Sequence, residues 1–486
     1  MDHRGAGHGT GLFHRWPRYG VPRGEKSAKS RTDSLGPLAL LKRIAGMMAT
    51  MFSPNVRGCG AWVLALILAN VSFADNVPSS SLSLDEAISL AKARNGQALA
   101  AVAQLEAAKA NKNIAAAGFL PTLTPRYQYS TGRTNLYTGV GGGSQRLNTR
   151  SATADITASW RLWDSGARSL NLKIASRSLD SEQFSALDTV RGVLFAVERD
   201  FYEALRAQEL LLVQEAQAAR AKTILEQTEL RVEVGDSAKK DILQAKADFL
   251  NSEVAKLTSQ ARTYTTKATL KATVGWDEKS LFPALAPVEK SWDTTELPPL
   301  QDVIAKGLAT RPDLSSQRKQ VEGSRFNVRL AELDAGVQMS LDATANRAFG
   351  DDVSNRGQLV FEATIPLFDG RRSKEAVRAR RATLMAAEAR YGQSERDARS
   401  EIESAYTDLV QARLRMSVAD AAYEAARVNY DAAIEAQRLG AGTLLEVLTA
   451  QVSLVTAESN RVETFFDLRI AESRLKLVTG QPLRGE

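Results

Sequence analysis

Between Pro125 and Pro283, and again between Pro366 and Pro482, the chain contains no proline. Within both stretches apolar residues step by three and four. One helix carries Leu187, Val190, Leu194, Val197 and Phe201, and the next carries Leu243, Ala247, Leu250, Val254, Leu257, Ala261 and Tyr264. The second stretch repeats this with Ile402, Tyr406, Leu409, Ala412, Met416, Ala419 and Tyr423, then Leu448, Val452, Val455, Ser459, Val462 and Phe466. Such steps make a coiled-coil seam, and the Ala and Ser on it allow close, laterally extended packing. Gly235 and Gly440 interrupt the period, so each is expected to turn its helix back as an αα-hairpin. A helix from Ser165 to Val234 would be roughly 105 Å long at ~1.5 Å per residue. That length is too great for a globular domain and suits a duct across a wide gap.

Four other segments alternate with a period of two. Val337, Met339, Leu341, Ala343 and Ala345 oppose Gln338, Ser340, Asp342, Thr344 and Asn346; Leu359, Phe361, Ala363, Ile365 and Leu367 oppose Gln358, Glu362 and Thr364. Earlier, Leu123, Tyr127 and Tyr129 oppose Arg126, Gln128 and Ser130, while Ile156, Ala158, Trp160 and Leu162 oppose Asp155, Thr157, Ser159 and Arg161. Segments of about ten residues with one apolar and one polar face are the mark of barrel strands around a wet lumen. Asp155, Arg161, Asp342 and Glu362 are therefore read as lumen-facing. A soluble sandwich with one buried face would alternate in the same way. Four strands cannot close a pore, and lipid-exposed sheet edges are forbidden, so the strands are expected to pool with those of further copies. Gly132–Arg150, with Gly139 and Gly141 to Gly143, reads as a mobile outer loop.

The chain also repeats itself. Val234-Gly235 through Ala245 lies over Leu439-Gly440 through Ala450 at a shift of 205, which also lays Leu-Trp-Asp164 on Leu-Phe-Asp369 and Gly275 on Gly480. A shift of 216 pairs Leu84 and Ile88 with Leu300 and Ile304. We expect a first repeat over 82–275 (helix, strands near 123–131 and 153–163, long hairpin), a linker over 276–299, and a second repeat over 300–483 with strands near 337–346 and 357–367. Trp276 and Trp292 bracket the linker and read as packing residues.

The formal charge of +7 suggests a nucleic-acid partner until it is located. Residues 1–60 hold ten Lys/Arg and three acids, so the remaining chain holds 63 − 10 = 53 basic and 56 − 3 = 53 acidic residues. A neutral body does not concentrate polyanions. Arg57, the apolar run Ala61 to Ala69, and Ser72 and Ala74 at −3 and −1 form a secretory signal peptide over 47–74, cleaved near Ala74. A membrane anchor is the alternative. Residues 1–46 read as a disordered leader or a mis-assigned start, the true one being Met47, Met48 or Met51. His3, His8, His14 and Cys59 all precede residue 60, so the exported chain carries no His or Cys. No catalytic residue, cofactor or metal site is expected, because clustered metal ligands and phosphate-cradling loops are also lacking. A periplasmic coiled-coil scaffold or adaptor is the competing non-enzymatic reading, though it would not need paired amphipathic strands.

Leu-Phe-Asp-Gly370 after a strand pair, Leu439-Gly-Ala-Gly-Thr-Leu-Leu-Glu-Val-Leu-Thr-Ala-Gln451 between long helices, and a closing Leu-Lys-Leu-Val-Thr-Gly480 together resemble the TolC family of outer-membrane factors, over essentially all of 82–483. The resemblance implies an α+β membrane protein: a homotrimer whose strands form a 12-stranded transmembrane β-barrel and whose coiled-coil helices form an α-barrel tunnel through the periplasm. It also implies a passive export duct in the outer membrane, served by a periplasmic adaptor (membrane fusion protein) and an inner-membrane ABC or proton-driven transporter. Asp241 matches a gating aspartate and Glu446 an acidic ring position at the tunnel entrance, beside the turns at Gly235 and Gly440. The family's gating tyrosine and arginine fall on Gln437 and Gly442, and a second ring aspartate on Thr449, so those closure bonds do not transfer. Alternatively, Asp241 and Glu446 are acids placed in first helical turns to suit the dipole. Lack of an acylated cysteine leans toward polypeptide (type I) secretion over drug efflux.

Overall fold

The computed structural model describes residues 81–485 apart from 138–143, 278–281, 293–294, 334–335 and 351–353, and only the backbone of 134–137, 144–149 and 350. The leader, the signal segment, the three histidines, Cys59 and Gly139 to Gly143 lie outside the described residues. The chain divides into Met1–Asn76 and Val77–Glu486, and every described residue belongs to the second unit.

The element order runs twice through one pattern. First come β1 (Ser81–Leu82), α1 (Leu84–Arg94), α2 (Gly96–Ala117), β2 (Thr122–Tyr137), β3 (Ser144–Trp163), α3 (Ala167–Glu233) and α4 (Lys239–Val274). Then come β4 (Ala284–Leu285), α5 (Leu300–Thr310), α6 (Pro312–Leu333), β5 (Gln338–Gly350), β6 (Ser354–Thr364), α7 (Arg372–Arg438) and α8 (Leu444–Val478). Helix lengths match in pairs: 11 and 11, 22 and 22, 67 and 67, 36 and 35 residues. At ~1.5 Å per residue, α3 and α7 each run about 100 Å.

The single helix expected before each strand pair is in fact two. In the first repeat Asn95 is extended, and its Oδ1 accepts from the amides of Gln97 (2.9 Å) and Ala98 (3.2 Å), starting a new helix. In the second, Arg311 precedes Pro312, whose ring disfavours a helical predecessor and suits a first helical position. Two different local devices thus make the same break.

The four long strands form one antiparallel sheet in the order β2-β3-β5-β6. Its hairpins reach farther than expected. Pairing of β2 with β3 continues to Tyr137↔Ser144, so most of Gly132–Arg150 is strand rather than loop. β5 likewise runs to Gly350 and β6 starts at Ser354. Among the residues whose side chains are described, none of the buried core lies in this sheet. Each strand pair hands over to a long helix through one aspartate. Asp164 accepts from the amides of Gly166 (3.2 Å) and Arg168 (3.0 Å), and Asp369 from those of Arg371 (3.0 Å) and Ser373 (2.8 Å).

Beyond the sheet the helices form a wall four abreast. On the sheet side the order is α2-α3-α6-α7; toward the hairpin turns it is α4-α3-α8-α7. The main core sits between these levels, where Leu194, Val197 and Phe201 of α3, Ile402 and Leu409 of α7, Leu270 and Val274 of α4, and Phe466 and Leu468 of α8 pack together. The linker closes over this core. Leu285 of β4 is buried there, Trp292 packs on it, and β4 pairs in parallel with β1. Leu483 is also buried, and Arg484 is bidentate to Asp85 at 2.8 and 3.0 Å, so the first and last described segments join the same belt.

Most expected seam residues of α3 and α7 point into this packing, but those of α4 do not. Leu243, Ala247, Leu250, Val254, Leu257, Ala261 and Tyr264 are all exposed in the single protomer, as is Leu187 at the start of the α3 seam. α4 turns another face to α3, carrying Ala245, Ser252, Thr263 and Leu270. Small and hydroxyl-bearing residues let the two helices approach closely, with Thr263 Oγ1 donating to the Ala207 carbonyl at 3.2 Å. The larger apolar stripe is left outward. In α8 Leu448 and Phe466 are buried and Val452 is exposed.

Candidate functional site

Two surfaces carry the residues singled out above: the hairpin turns at one end and the sheet at the other. Both turns are built alike. After α3, the amides of Gly235 and Asp236 donate to the carbonyls of Val232 (3.1 Å) and Arg231 (2.8 Å); after α7, those of Gly440 and Ala441 donate to Gln437 (3.1 Å) and Ala436 (2.9 Å). This closure needs a left-handed residue after the helix. Gly235 has φ +83° and Gly440 φ +74°, which only glycine adopts without strain. Gly442 has a different reason: a Cβ there would sit 3.0 Å from the Gln437 nitrogen.

Both acids are the third residue of their helices. Glu446 accepts from the Thr443 amide at 3.0 Å while its own amide donates to Thr443 Oγ1 at 3.3 Å, a reciprocal cap. Asp241 accepts from the Ala238 amide at 3.2 Å. Ala238 has no hydroxyl to return the bond, so only half of that cap exists. Glu446 is exposed and Asp241 half-buried. The turns differ in character. Lys239 and Lys240 stand beside Asp241, whereas the exposed Leu439 and Leu445 flank Glu446.

A few residues deeper the two hairpins are joined. Ile224, Ala245, Tyr430, Val447, Leu448, Ala450 and Leu454 form a second core. Gln451, fully buried, donates to Asp248 Oδ2 at 3.2 Å. Burial pushes the Asp248 carboxyl above the ordinary carboxylate range, and the Gln451 bond pulls part of the way back. Arg231 donates to the Gln437 carbonyl at 3.3 Å, Arg220 pairs with Glu458 at 2.9 Å and Arg206 with Asp467 at 2.7 Å. These arginine contacts from α3, to α7 at Gln437 and to α8 at Glu458 and Asp467, and the Asp248–Gln451 pair escaped the sequence reading. Their signal is a polar residue on an Ala-lined helix face, which periodicity alone reads as solvated.

At the other end, strand register gathers the polar residues of all four strands onto one face. Arg126, Asp155, Asn346 and Arg356 form one row across the sheet, Thr124, Thr157, Thr344 and Gln358 the next. Ser159 then faces Asp342, and Arg161, Ser340 and Glu362 follow. The expected lumen set of Asp155, Arg161, Asp342 and Glu362 therefore shares a single face. Val360, opposite Asp342, is its apolar exception. The other face carries Ile156, Trp160, Leu341, Leu359 and Phe361, in continuous cross-strand rows. Leu359 and Phe361 are strongly exposed, and no second layer covers either face among the described residues. A sandwich core is thus not what the alternation encodes. β2 and β6 are open edges.

Among the described residues no group of three or more His, Cys, Asp or Glu could hold a metal ion, and no helix is long and apolar enough to cross a membrane. The family model described as outer membrane efflux protein matches residues 87–276 and 303–481, one segment per repeat. The chain is 23% identical over 435 residues to outer membrane efflux protein BepC of Brucella suis biovar 1, covering 87% of this chain and 91% of that protein. It is 25% identical over 425 residues to outer membrane protein TolC of Vibrio cholerae serotype O1, covering 82% and 90%. The solved outer-membrane channel OprN shares the fold with a TM-score of 0.71 at 19% identity, over 82% of this chain and 90% of that one.

Proposed function

The chain belongs to the outer membrane efflux protein family, and on that premise we propose that it is a passive, non-enzymatic export duct formed by three copies. The observation that carries this reading is the four-stranded sheet, with one polar face, one apolar face and two open edges. Its strands alternate in direction, so β6 of one copy meets β2 of the next in antiparallel sense and any closed ring of copies seals the edges. A trimer gives twelve strands, with the apolar face against lipid and the polar face around water. The matched helix lengths support an internal duplication behind this design.

The helical wall supports the same head-to-tail closure. α4 lies at one lateral edge with its outward stripe of Leu243, Leu250, Val254, Leu257 and Tyr264. At the other edge a groove of about 830 Å³ between α7 and α8 is lined by Leu414, Val418, Ala422, Ala426 and Val452. Stripe and groove on opposite edges of one copy make a heterologous contact that closes into a ring. The tunnel so formed would narrow at the hairpin turns, where Glu446 rings the passage and Asp241 steadies the turn. Capping does not neutralise Glu446, so its charge remains available to the pore. A periplasmic adaptor and an inner-membrane transporter would complete the machine. For the cargo we favour polypeptide secretion over drug efflux, because Cys59 precedes the apolar run and no cysteine follows it to be acylated.

Native mass spectrometry of detergent-extracted protein should find trimers, and planar bilayers should show stable unitary conductance. Monomers without conductance would refute the duct.

A further inference from the structure

Leu367 and Phe368 are among the most exposed large apolar residues of the described chain, at 94% and 90%. They stand between the end of β6 at Thr364 and the start of α7 at Arg372, and Leu367 keeps the odd-numbered parity of the sheet's apolar face. Immediately after them comes Arg371-Arg-Ser-Lys-Glu-Ala-Val-Arg-Ala-Arg-Arg381, six basic residues against one acid. All six are exposed. Arg378 reaches Glu375 at 3.6 Å and Arg381 pairs with Glu332 at 2.9 Å. Arg371, Arg372, Lys374 and Arg380 make no ion pair among the described residues.

This is the wrong sign of charge for the start of a helix. The positive end of the dipole favours acids there and penalises cations by about 0.3–1 kcal/mol each. The other carboxylate in the segment, Asp369, is taken up by the cap, accepting from two amides and from Ser373 Oγ. The corresponding corner of the first repeat carries no such cluster: Arg168 is paired with Asp164 at 2.8 Å, and the next cation is Lys173. Helix stability therefore does not explain the run in α7. A neighbouring copy does not neutralise it either. On the sheet side α7 is a lateral edge of the wall and α2 is the other, and α2 offers one acid, Glu106, against Lys109 and Lys112.

We propose that the start of α7 is a docking surface for acidic phospholipid headgroups of the leaflet that meets the helical end of the barrel. The inference rests on the membrane-embedded sheet proposed above. Leu367 and Phe368 would enter the acyl boundary as the last apolar residues of the lipid-facing surface. The first two turns of α7 then rise about 10 Å, comparable with a headgroup layer of about 5–8 Å per side. Arg371, Arg372, Lys374 and Arg378 fall at that depth, and the longer reach of Arg380 and Arg381 lets them turn back toward it. An acidic headgroup supplies the counter-charge that the chain itself withholds. With three copies, three such patches would form a collar that fixes how deep the duct sits.

The test uses the full-length oligomer in vesicles of phosphatidylcholine and phosphatidylglycerol at 7:3, released gently and weighed by native mass spectrometry. The wild-type oligomer should retain phosphatidylglycerol well above its share of the vesicle. The triple variant Arg372→Gln/Lys374→Gln/Arg380→Gln should lose that enrichment, roughly fivefold per removed charge. Lys109→Gln/Lys112→Gln should leave it unchanged. Should the triple variant not assemble, the single changes Arg372→Gln and Lys374→Gln should each lower the enrichment in part. An inserted oligomer that retains both lipids in the vesicle's own ratio overturns the proposal while leaving the duct intact. So does a triple variant that changes ion selectivity but not lipid retention, which would place these cations in the lumen. Protein that never inserts would instead refute the duct.

Discussion

Glu446 can serve the cap, the pore or both, and Glu446→Gln separates the roles. A glutamine at the third helical position still accepts from the Thr443 amide, a bond of 3.0 Å in the native chain. Only the charge is removed, which costs about 0.3–1 kcal/mol of dipole interaction per copy. Its effect on permeation is larger. A cation on the axis about 8 Å from each of three carboxylates gains about 0.5 kcal/mol from each even in bulk-like water. Three add to about 1.5 kcal/mol, or about tenfold in local cation occupancy, and poorly screening protein walls raise the figure. The assay is the reversal potential of single channels under a salt gradient, alongside a thermal melt. Glu446→Gln should lose cation preference with little change in melting. Glu446→Ala should lose the same preference and also the capping bond, worth about 0.5–1.5 kcal/mol. If Glu446→Gln keeps wild-type selectivity, the carboxylate faces away from the passage and serves the helix alone.

The sheet faces should tolerate charge unequally: Phe361→Arg is expected to cost about 2–4 kcal/mol per copy near the bilayer midplane and deplete the assembled oligomer, while Thr344→Arg is accommodated. Equal loss of heat-modifiable oligomer on gels would mean the two faces are misassigned. Arg191, 2% exposed, donates to the carbonyls of Lys476 (3.2 Å) and Gln481. Arg191→Met should cost about 1.5–3 kcal/mol and speed amide exchange over 476–485; unchanged exchange there would show that the C-terminal tail is held by other contacts. Glu198 is buried, and burial pushes its carboxyl above the ordinary range despite the Ser473 bond and the cations Lys476 and Arg484. The folded state therefore holds its proton to higher pH than the unfolded state, so this group lowers stability as pH rises from the ordinary carboxylate range through its folded value. Glu198→Gln should accordingly raise the melting temperature at neutral pH and lose that advantage below about pH 4, and a gain independent of pH would refute the assignment.

Much of the architecture is legible before any coordinates because it is periodic. The turns at Gly235 and Gly440 and the strand faces follow from spacings of two, three and four residues, and the repeat of element order from matches at shifts of 205 and 216. What escapes is set by single residues. The break between α1 and α2 depends on one Asn95 side chain reaching two amides and, through Nδ2, the Thr273 carbonyl at 2.7 Å. Hairpin length is set by pairing across the chain. Gly132 lies inside a ladder whose register runs from Thr122↔Ser159 to Tyr137↔Ser144, and a glycine among polar residues reads as a loop unless its partner strand is known. The Asp248–Gln451 pair is invisible for the same reason, since its partners lie 203 residues apart and neither announces the other.

The α4 stripe is a different kind of failure. Periodicity correctly finds an apolar face at Leu243, Leu250, Val254, Leu257 and Tyr264, but it carries no information about which body covers that face. Within one copy α3 prefers the Ala245, Ser252 and Thr263 side, where backbones approach closely and Thr263 finds the Ala207 carbonyl. The large side chains are left for a longer-range partner. The same division holds in the sheet, where the ladder hydrogen bonds are satisfied within the chain at β3 and β5 but remain open at β2 and β6. Helical stripe and strand edges are thus two unfilled demands on lateral edges of one copy. In the proposed duct, a ring of copies would meet both with a single rotation and leave no unfilled edge, which a monomer cannot do.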